Sequence, residues 1–463
     1  MSAQHVVPHG RIVVVLVGLI VAAWAGGALL APPAQAASNS GELLWARTWN
    51  RTSKIDSLQA CCAGPGGALY VCGDTESNWT TQGDLLLIKY AANGTRSWTR
   101  TWAGPDGLAD WGWRVAVDRN GNVIAAGGTT TTGSGKDWAI VKWSANGVLR
   151  WATTYNGLGG GDDMARDLEL DSAGNVYVCG ISPGAFGSGD DMVVAKYRAG
   201  NGTLAWEERY VGPLAGGGDG AFAMAIDSAR NTYMVGFSAN LSGGDDAMIV
   251  KVDADGQRVW ARRTDGPTGG WNNWYDVALV GDNLYVAGDC GSDPATDLFV
   301  GKFTTGNATR WTRSYDNPGG TNDWTNGMAV NSRGDLYVAA SVDTGNPMAR
   351  TAEVAKWNAA GQFKWRRSFR GPTSAEYWAV TTNKRGYVWC AGYAADVASQ
   401  RDALIAKYAP SGARKWLWRF DAGSLEEENV NALALSGTTA LYAVGESAVP
   451  PDDQTTLVMK FRR

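Results

Sequence analysis

Apolar and polar positions recur along this 463-residue chain in a single repeated pattern. The stretch from Asp171 to Trp206 shows it in full. A polar Asp-x-x-Gly-Asn turn leads into VYVCG, a polar loop leads into MVVAKY, and a Gly-containing turn leads into AWEERYVG. Short β-branched and aromatic runs between turn signals read as strands, and Gly174 supplies the positive φ that a tight hairpin demands. With MARDLEL ahead of Asp171, one copy predicts four antiparallel strands.

The copies are counted on the lysine that ends the second apolar run: Lys89, Lys142, Lys196, Lys251, Lys302, Lys356, Lys407 and Lys460, spaced by 51 to 55 residues. A tryptophan follows in every copy but the last, at Trp98, Trp151, Trp206, Trp260, Trp311, Trp365 and Trp416. The missing one stands at the other end of the chain, in ELLWARTW from Glu42 to Trp49. A four-stranded sheet cannot bury both its faces until neighbours stack on it radially, so a period near fifty residues predicts a propeller. The expected fold is all-β, an eight-bladed β-propeller of four-stranded antiparallel blades, closed by the N-terminal strand completing the last blade. That strand leaves no blade edge unpaired.

Residues 1–36 read as a secretory signal peptide, with Arg11, an apolar run from Ile12 to Ala31, Pro32-Pro33 and the small-residue site Ala34-Gln35-Ala36. The run, about nineteen residues long, suits either a cleaved signal or a retained anchor. Residues 37–463 form one propeller, with no Pro- or Ser-rich linker inside it, and no membrane insertion is expected after cleavage. The expected location is secreted or extracytoplasmic, and the expected state is a monomer. Formal net charge is −4, and −5 once Arg11 is removed, which disfavours nucleic acid as a partner.

Both histidines, His5 and His9, fall in the signal. The remaining chain therefore has no Ser-His or Cys-His pair, no imidazole metal ligand and no axial histidine for haem. Of six cysteines, Cys72, Cys179 and Cys390 occupy the same small-residue stretch of different copies and read as packing residues. Adjacent Cys61 and Cys62 leave two readings, packing thiols or a vicinal disulfide. A glycine ends the first apolar run at Gly73, Gly127, Gly180, Gly236, Gly288, Gly392 and Gly445, with Ala340 in the other copy. The lysines are expected to pair within the blade with turn acids such as Asp118, Asp171 and Asp227.

The signature through Asp118, Gly121, Asn122, Gly127, Asp137, Lys142 and Trp151 resembles the bacterial SBBP-type propeller repeat, and its G-x-x-x-W ending looks like the tryptophan-docking repeat of quinoprotein (PQQ-like) propellers. The resemblance implies a propeller of an exported or surface protein, a scaffold that hosts many functions. Quinoprotein dehydrogenases would add a calcium and cofactor site, and only Cys61-Cys62 echoes the disulfide found over the quinone in many of them.

Aligned on their turns, the copies place Asp56, Asp110, Asp163, Asp219, Asn272, Asp323, Ala375 and Glu428 in one column. A second loop adds Asp84, Asp137, Asp191, Asp246, Asp297 and Asp402. Short acids at such places cap loop N–H groups in Asx-type turns, or they form an acidic channel mouth at Asp56, Asp110, Asp163, Asp219, Asp323 and Glu428. Aromatics break the repeat at the same loops. Trp111, Trp113, Trp271, Trp274, Trp324 and Trp378, with Asp323, are the expected ligand-binding residues, since tryptophans beside Asp and Asn suit a sugar or peptide surface. Asp253-x-Asp255-Gly256 mimics the start of a calcium loop without its remaining ligands, and no metal site or catalytic residue is assigned. The function expected is non-enzymatic binding of a cell-surface or extracellular glycan, peptide or protein through the loop face. The alternatives are a PQQ-dependent oxidoreductase with its cofactor in the central channel and a carboxylate-dependent glycan hydrolase or lyase. No cofactor is required by the sequence.

Overall fold

The computed structural model describes residues 41–49, 56–75, 83–185, 189–267, 270–292, 295–316, 322–345, 349–396, 401–420, 427–449 and 453–463, and the expected signal at 1–36 lies outside them. The described residues hold 32 strands and one short 3-10 turn, Pro65–Gly67, with no α-helix. The strands form antiparallel four-stranded sheets in chain order. Sheet one begins at Asp56, two at Asp110, three at Met164, four at Asp219, five at Trp271, six at Asp323, seven at Ser374 and eight at Glu427. Sheets four and five also share a single parallel bridge between Asp245 and Trp271.

Sheet eight takes its fourth strand from the other end of the chain. Leu43–Trp49 lies antiparallel on Asp453–Arg462, with Leu43 opposite Phe461 and Trp49 opposite Thr456. First strands run beside one another from sheet to sheet, and the first strand of sheet eight, Glu427–Ser436, runs beside that of sheet one, Asp56–Ala63.

The hydrophobic core lies between the sheets. Leu86 and Ile88 of sheet one pack with Tyr442 and Val458 of sheet eight, while Leu85 and Leu87 pack with Val123 and Val141 of sheet two. Third strands such as Leu85–Tyr90 and Asp190–Tyr197 are covered on both faces, which explains their unbroken apolar runs. Fourth strands alternate buried and exposed positions, as in Leu149–Tyr155.

Repeated lysines and tryptophans fasten most of the sheets to the next. Lys142 Nζ and Trp151 Nε1 of sheet two both donate to the Ala199 carbonyl in the hairpin of sheet three, at 3.2 Å each. Lys196 and Trp206 share Ala254 in the same way, Lys302 and Trp311 share Ala359, and Lys356 and Trp365 share Pro410. Lys460 and Trp45, from opposite ends of the chain, meet on Ala92 of sheet one. The expected intra-sheet pairing with a turn acid is present where Lys142 reaches Asp118 at 3.5 Å, and Lys356 reaches Asp335 of its own sheet at 3.2 Å; the contact between sheets, which the expectation did not include, recurs beside it. The indole lies flat on the hairpin glycine it faces, Trp151 on Gly202 and Trp206 on Gly256, where a Cβ would collide with the ring. Those glycines also need φ of 71° and 88°, and Asn307 takes φ 76° at the equivalent place in sheet five.

Two outcomes follow from this fastening. Deleting residues 42–49 strips sheet eight of a strand and exposes the edge of Asp453–Arg462, so size-exclusion chromatography is expected to show loss of soluble monomer. A monomer of unchanged melting temperature would contradict this account. Trp206→Ala removes a ring from between two sheets together with its bond to Ala254, and denaturant melts are expected to show a loss of about 3 kcal/mol. A cost near zero would show that the ring carries no fastening load.

Candidate functional site

Each first strand carries one β-bulge at the same register. The pairing with the second strand slips between Leu58 and Ala60, Gly112 and Arg114, Ala165 and Asp167, Ala221 and Ala223, Trp274 and Asp276, Thr325 and Gly327, Tyr377 and Ala379, and Val430 and Ala432. A bulge leaves one residue outside the ladder and re-aims its side chain. Those residues are Gln59, Trp113, Arg166, Phe222, Tyr275, Asn326, Trp378 and Asn431, and every one is half-buried.

The bulge explains the glycine column. The carbonyl just before the slip folds over the second strand, so a Cβ at Gly127 would strike the Trp111 carbonyl and one at Gly445 the Asn429 carbonyl. Glycine is needed there for close backbone approach.

Around this fixed frame the side chains sort by register. The column of Asp56, Asp110, Asp163, Asp219, Asn272, Asp323 and Glu428 is buried. One residue further along stand Ser57, Trp111, Met164, Gly220, Asn273, Trp324, Glu376 and Asn429, directly across from Asp74, Gly128, Ile181, Phe237, Asp289, Ser341, Tyr393 and Glu446 on the second strands. Large residues there face small ones. The Trp111 ring fills the space over Gly128, and Phe237 fills that over Gly220. These pairs and the bulged residues vary from copy to copy while their surroundings repeat.

Neighbouring bulged residues meet. The Arg166 guanidinium lies 6.0 Å from the Phe222 ring, and Phe222 is 5.1 Å from Tyr275. Side chains also occupy the unpaired backbone edges of the first strands. Asp167 accepts from Met224 N–H at 2.9 Å, Asp276 from Met328 N–H at 3.0 Å and Asp289 from Thr325 N–H at 2.8 Å. Asn326 donates to the Tyr377 carbonyl and Asn431 to the Leu58 carbonyl, at 2.8 and 2.7 Å. Burial pushes both Asp276 and Asp289 up to about 7, with the Asp167 charge adding to the effect on Asp276.

Of the residues expected to bind ligand, Trp111, Trp113, Trp324 and Trp378 stand on this varied wall. Trp324 carries the Arg350 guanidinium 4.4 Å over its ring, and Trp378 donates to Glu376 at 3.0 Å. Trp271, 48% exposed, lies at the start of sheet five. Two expectations need correcting. Trp274 is wholly buried and stacked on Phe299 at 4.3 Å, because its register points into the core between sheets four and five. Asp323 is wholly buried in the acid column and stands on no surface.

The acidic mouth is corrected likewise. Asp56, Asp110, Asp163, Asp219, Asp323 and Glu428 lie inside the fold. Asp110, Asp163 and Asp219 clasp the preceding loop by accepting from Gly104, Gly157 and Gly212 N–H at 2.6, 2.9 and 2.5 Å. In the second loop, Asp191 and Asp246 pair with Arg209 and Arg263 of their own sheets, at 2.8 and 2.7 Å. Asp253 accepts from the N–H groups of Asp255 and Gln257, which makes it a turn residue. Cys61 and Cys62 are thiols. They sit on a regular strand whose successive side chains point to opposite faces, Cys61 toward sheet eight and Cys62 toward sheet two, so in this extended backbone the two thiols face apart and are not bonded to each other.

Sequence reasoning missed Gln59, Arg166, Phe222, Tyr275, Asn326 and Asn431. The signal was available as the column three residues after each loop acid, where residue type changes in every copy except for the recurrence of Trp and Asn.

These sheets define the chain as a β-propeller. Among solved structures it is similar to quinohemoprotein alcohol dehydrogenase from Comamonas testosteroni, at 14% identity and a TM-score of 0.57, over 91% of this chain and 76% of that one. It is also similar to Sqt1 of Chaetomium thermophilum bound to the N-terminus of ribosomal protein L10, at 11% identity and a TM-score of 0.53, over 89% of this chain and 100% of that one. At such identities the likeness concerns fold. No protein-family model matches the chain, and no curated protein matches it by sequence.

The raised carboxyls give a pH dependence opposite in sign to that of an ordinary salt-bridged acid. Asp276 and Asp289 keep their protons in the folded state up to about 7, whereas the unfolded chain gives them up near 4, so their contribution to stability falls as pH rises between those values. Melting temperature is expected to be higher at about pH 5.5 than at about pH 8, and Asp276→Asn with Asp289→Asn is expected to shrink the difference. A difference of opposite sign that these substitutions leave untouched would refute the assignment.

Proposed function

We propose that this chain is an exported, eight-bladed propeller, closed by its N-terminal strand, that binds a peptide segment of a protein partner on the varied wall formed by its first strands. The carrying observation is the contrast between a frame that repeats and a wall that does not. Fastening lysines, tryptophans, glycines and loop acids recur, whereas the half-buried bulged residues differ, four of them being the aromatics Trp113, Phe222, Tyr275 and Trp378. Half-exposed aromatics held on a rigid frame offer large contact area at low entropic cost, the usual anchors of recognition. Sqt1, a propeller of similar fold, binds the N-terminus of a ribosomal protein, which supports a peptide as the ligand class. Neither a catalytic dyad nor a cofactor is part of this reading.

The oxidoreductase alternative is weaker on the donor set. Among the described residues no three His, Cys, Asp or Glu side chains converge as metal ligands would, and Cys61 and Cys62 face apart, so the wall does not fit a calcium-bound quinone.

The test is an array of peptides and glycans probed with the purified chain. Peptide capture is expected, weakened at least about tenfold by Trp113→Ala combined with Phe222→Ala in protein that still melts cooperatively. Capture of glycans alone, or peptide capture lost only on Trp271→Ala, would overturn the reading and place binding elsewhere.

A further inference from the structure

The aromatic stretch of the wall holds a guanidinium that is given no oxygen among the described residues. Arg166 is the bulged residue of sheet three, and in the row of bulged residues it stands between Trp113 of sheet two and Phe222 of sheet four. Its Nη2 donates to the Met164 sulfur at 3.5 Å, its guanidinium lies 6.0 Å from the centre of the Phe222 ring, and its Nε–H is enclosed without an acceptor. A thioether is a weak acceptor, so the fork of N–H donors is left largely unused.

Arginines elsewhere reach oxygen. Arg209, Arg263 and Arg350 donate to the carboxylates of Asp191, Asp246 and Glu376 at 2.8, 2.7 and 2.9 Å. Arg47, Arg100 and Arg367 donate through Nε to the hairpin carbonyls of Gly94, Gly147 and Gly412, at 2.9, 2.6 and 2.6 Å. Sheets two, three and four are described throughout apart from residues 186–188, which are Phe, Gly and Ser and bring no carboxylate.

Asp167, the next residue along, is already engaged. It receives Arg114 Nε at 3.3 Å and the N–H groups of Leu168 and Met224 at 2.9 Å each. Burial, and then the Arg114 charge beside it, pull Arg166 below the ordinary value of an arginine. A half-buried cation next to a second cation, without an acceptor of its own, is held against the stability of the fold.

We propose that Arg166 anchors a subsite for a carboxylate of the bound peptide, with an apolar group of the same peptide beside it on Phe222. The inference rests on the peptide reading above and names the chemistry of one subsite within it. A carboxylate lays two oxygens in the plane of the guanidinium and takes two of its N–H groups at once. It also brings the negative charge that the two guanidiniums lack, since Asp167 offsets only one of them. Phe222 continues into Tyr275 at 5.1 Å and Phe237 at 5.5 Å, so the carboxylate lies at the end of an aromatic surface. A C-terminal apolar residue has that form, and so does an acidic side chain next to an apolar one.

The experiment titrates the purified full chain with N-acetyl-phenylalanine, N-acetyl-phenylalanine amide, N-acetyl-glutamate α-amide and sodium sulfate, read by calorimetry and by melting temperature. The two carboxylates are expected to bind and the neutral amide is not. Tighter binding of the first assigns the subsite to a peptide C-terminus, and tighter binding of the glutamate probe assigns it to an acidic side chain. Arg166→Gln is expected to weaken both carboxylates at least about tenfold, with Arg166→Lys, which keeps the charge but not the fork, falling between. Arg166→Met is expected to leave the melting temperature of the free chain unchanged or raised, because a cation without an acceptor is removed, whereas loss of a guanidinium that fastens the wall would lower it. Carboxylates that bind through Arg166 while an array captures no peptide would sink the peptide reading and leave the carboxylate site standing. Peptides captured equally by the chain and by Arg166→Gln would sink the site and leave the peptide reading standing. No carboxylate binding to folded protein, equal binding of the neutral amide or of sulfate, or a melting temperature lowered by Arg166→Met would likewise overturn the carboxylate site.

Discussion

One hairpin carbonyl carries the contact between most neighbouring sheets. Between the third and fourth strands it receives two donors from the preceding sheet, a lysine ammonium and an indole N–H, as at Ala199, Ala254, Ala359 and Pro410, while Thr305 receives Lys251 alone. A charged donor makes the stronger bond, and the indole adds the area of its ring against the hairpin glycine. Most of these lysines also lie over a tyrosine of their own sheet, Lys196 5.0 Å from the Tyr177 ring and Lys302 4.9 Å from Tyr285, so an aromatic face receives the charge where water is scarce, whereas Lys142 stands opposite Ile124. Sheets that would be unstable alone are thereby held at one spacing, and apolar third strands can be covered on both faces.

The bulge follows from that spacing. First strands have no partner on one edge, and an unpaired edge invites aggregation or slippage. Here a bulge breaks the ladder once per sheet, while Asp167, Asp276, Asp289, Asn326 and Asn431 occupy the free N–H and carbonyl groups of the neighbouring first strand. Because the glycine opposite the slip and, in several sheets, Asp167, Asp276 and Asp289 secure the backbone, the bulged position is not tied to one residue type, although Asn326 and Asn431 at that position themselves hold a neighbouring carbonyl. It can be Trp, Arg, Phe, Tyr, Asn or Gln without disturbing the sheet.

Strand positions, turn chemistry and the number of copies were legible in the chain because local features encode them: Gly and Asp at turns, alternation in half-exposed strands, unbroken apolar runs in covered ones. The place of Leu43–Trp49 was legible because a tryptophan strand without a lysine strand stood at one end and the reverse at the other. What the lysines do was legible only in part. Lys142 reaches Asp118 of its own sheet as its turn position suggests, but it also donates to a carbonyl 57 residues away, and a side chain's reach across sheets leaves no mark in spacing. Trp274 misled for a related reason. A one-residue register difference separates it from Tyr275, and only the bulge decides which of the two faces inward to Phe299. For the acid column the chain left two readings open, caps on loop N–H groups or a charged mouth, and the bonds from Gly104, Gly157 and Gly212 N–H to Asp110, Asp163 and Asp219 favour the first.

The wall that results is uneven around its course. Sheets two to four contribute Trp111, Trp113, Met164, Arg166, Ile181, Phe222 and Phe237, while sheets eight and one contribute Asn429, Asn431, Glu446, Ser57, Gln59 and Asp74. Nothing in the frame requires this division, since the same fastening and the same bulge occur on both sides. The buried acid Glu376 of sheet seven is met by Arg350 of sheet six, so the frame has room to neutralise a charge from within. The same frame thus carries apolar and aromatic side chains along one part of its wall and polar and acidic ones along another, so the chemistry of the wall is set by the residues placed on the frame and not by the frame itself.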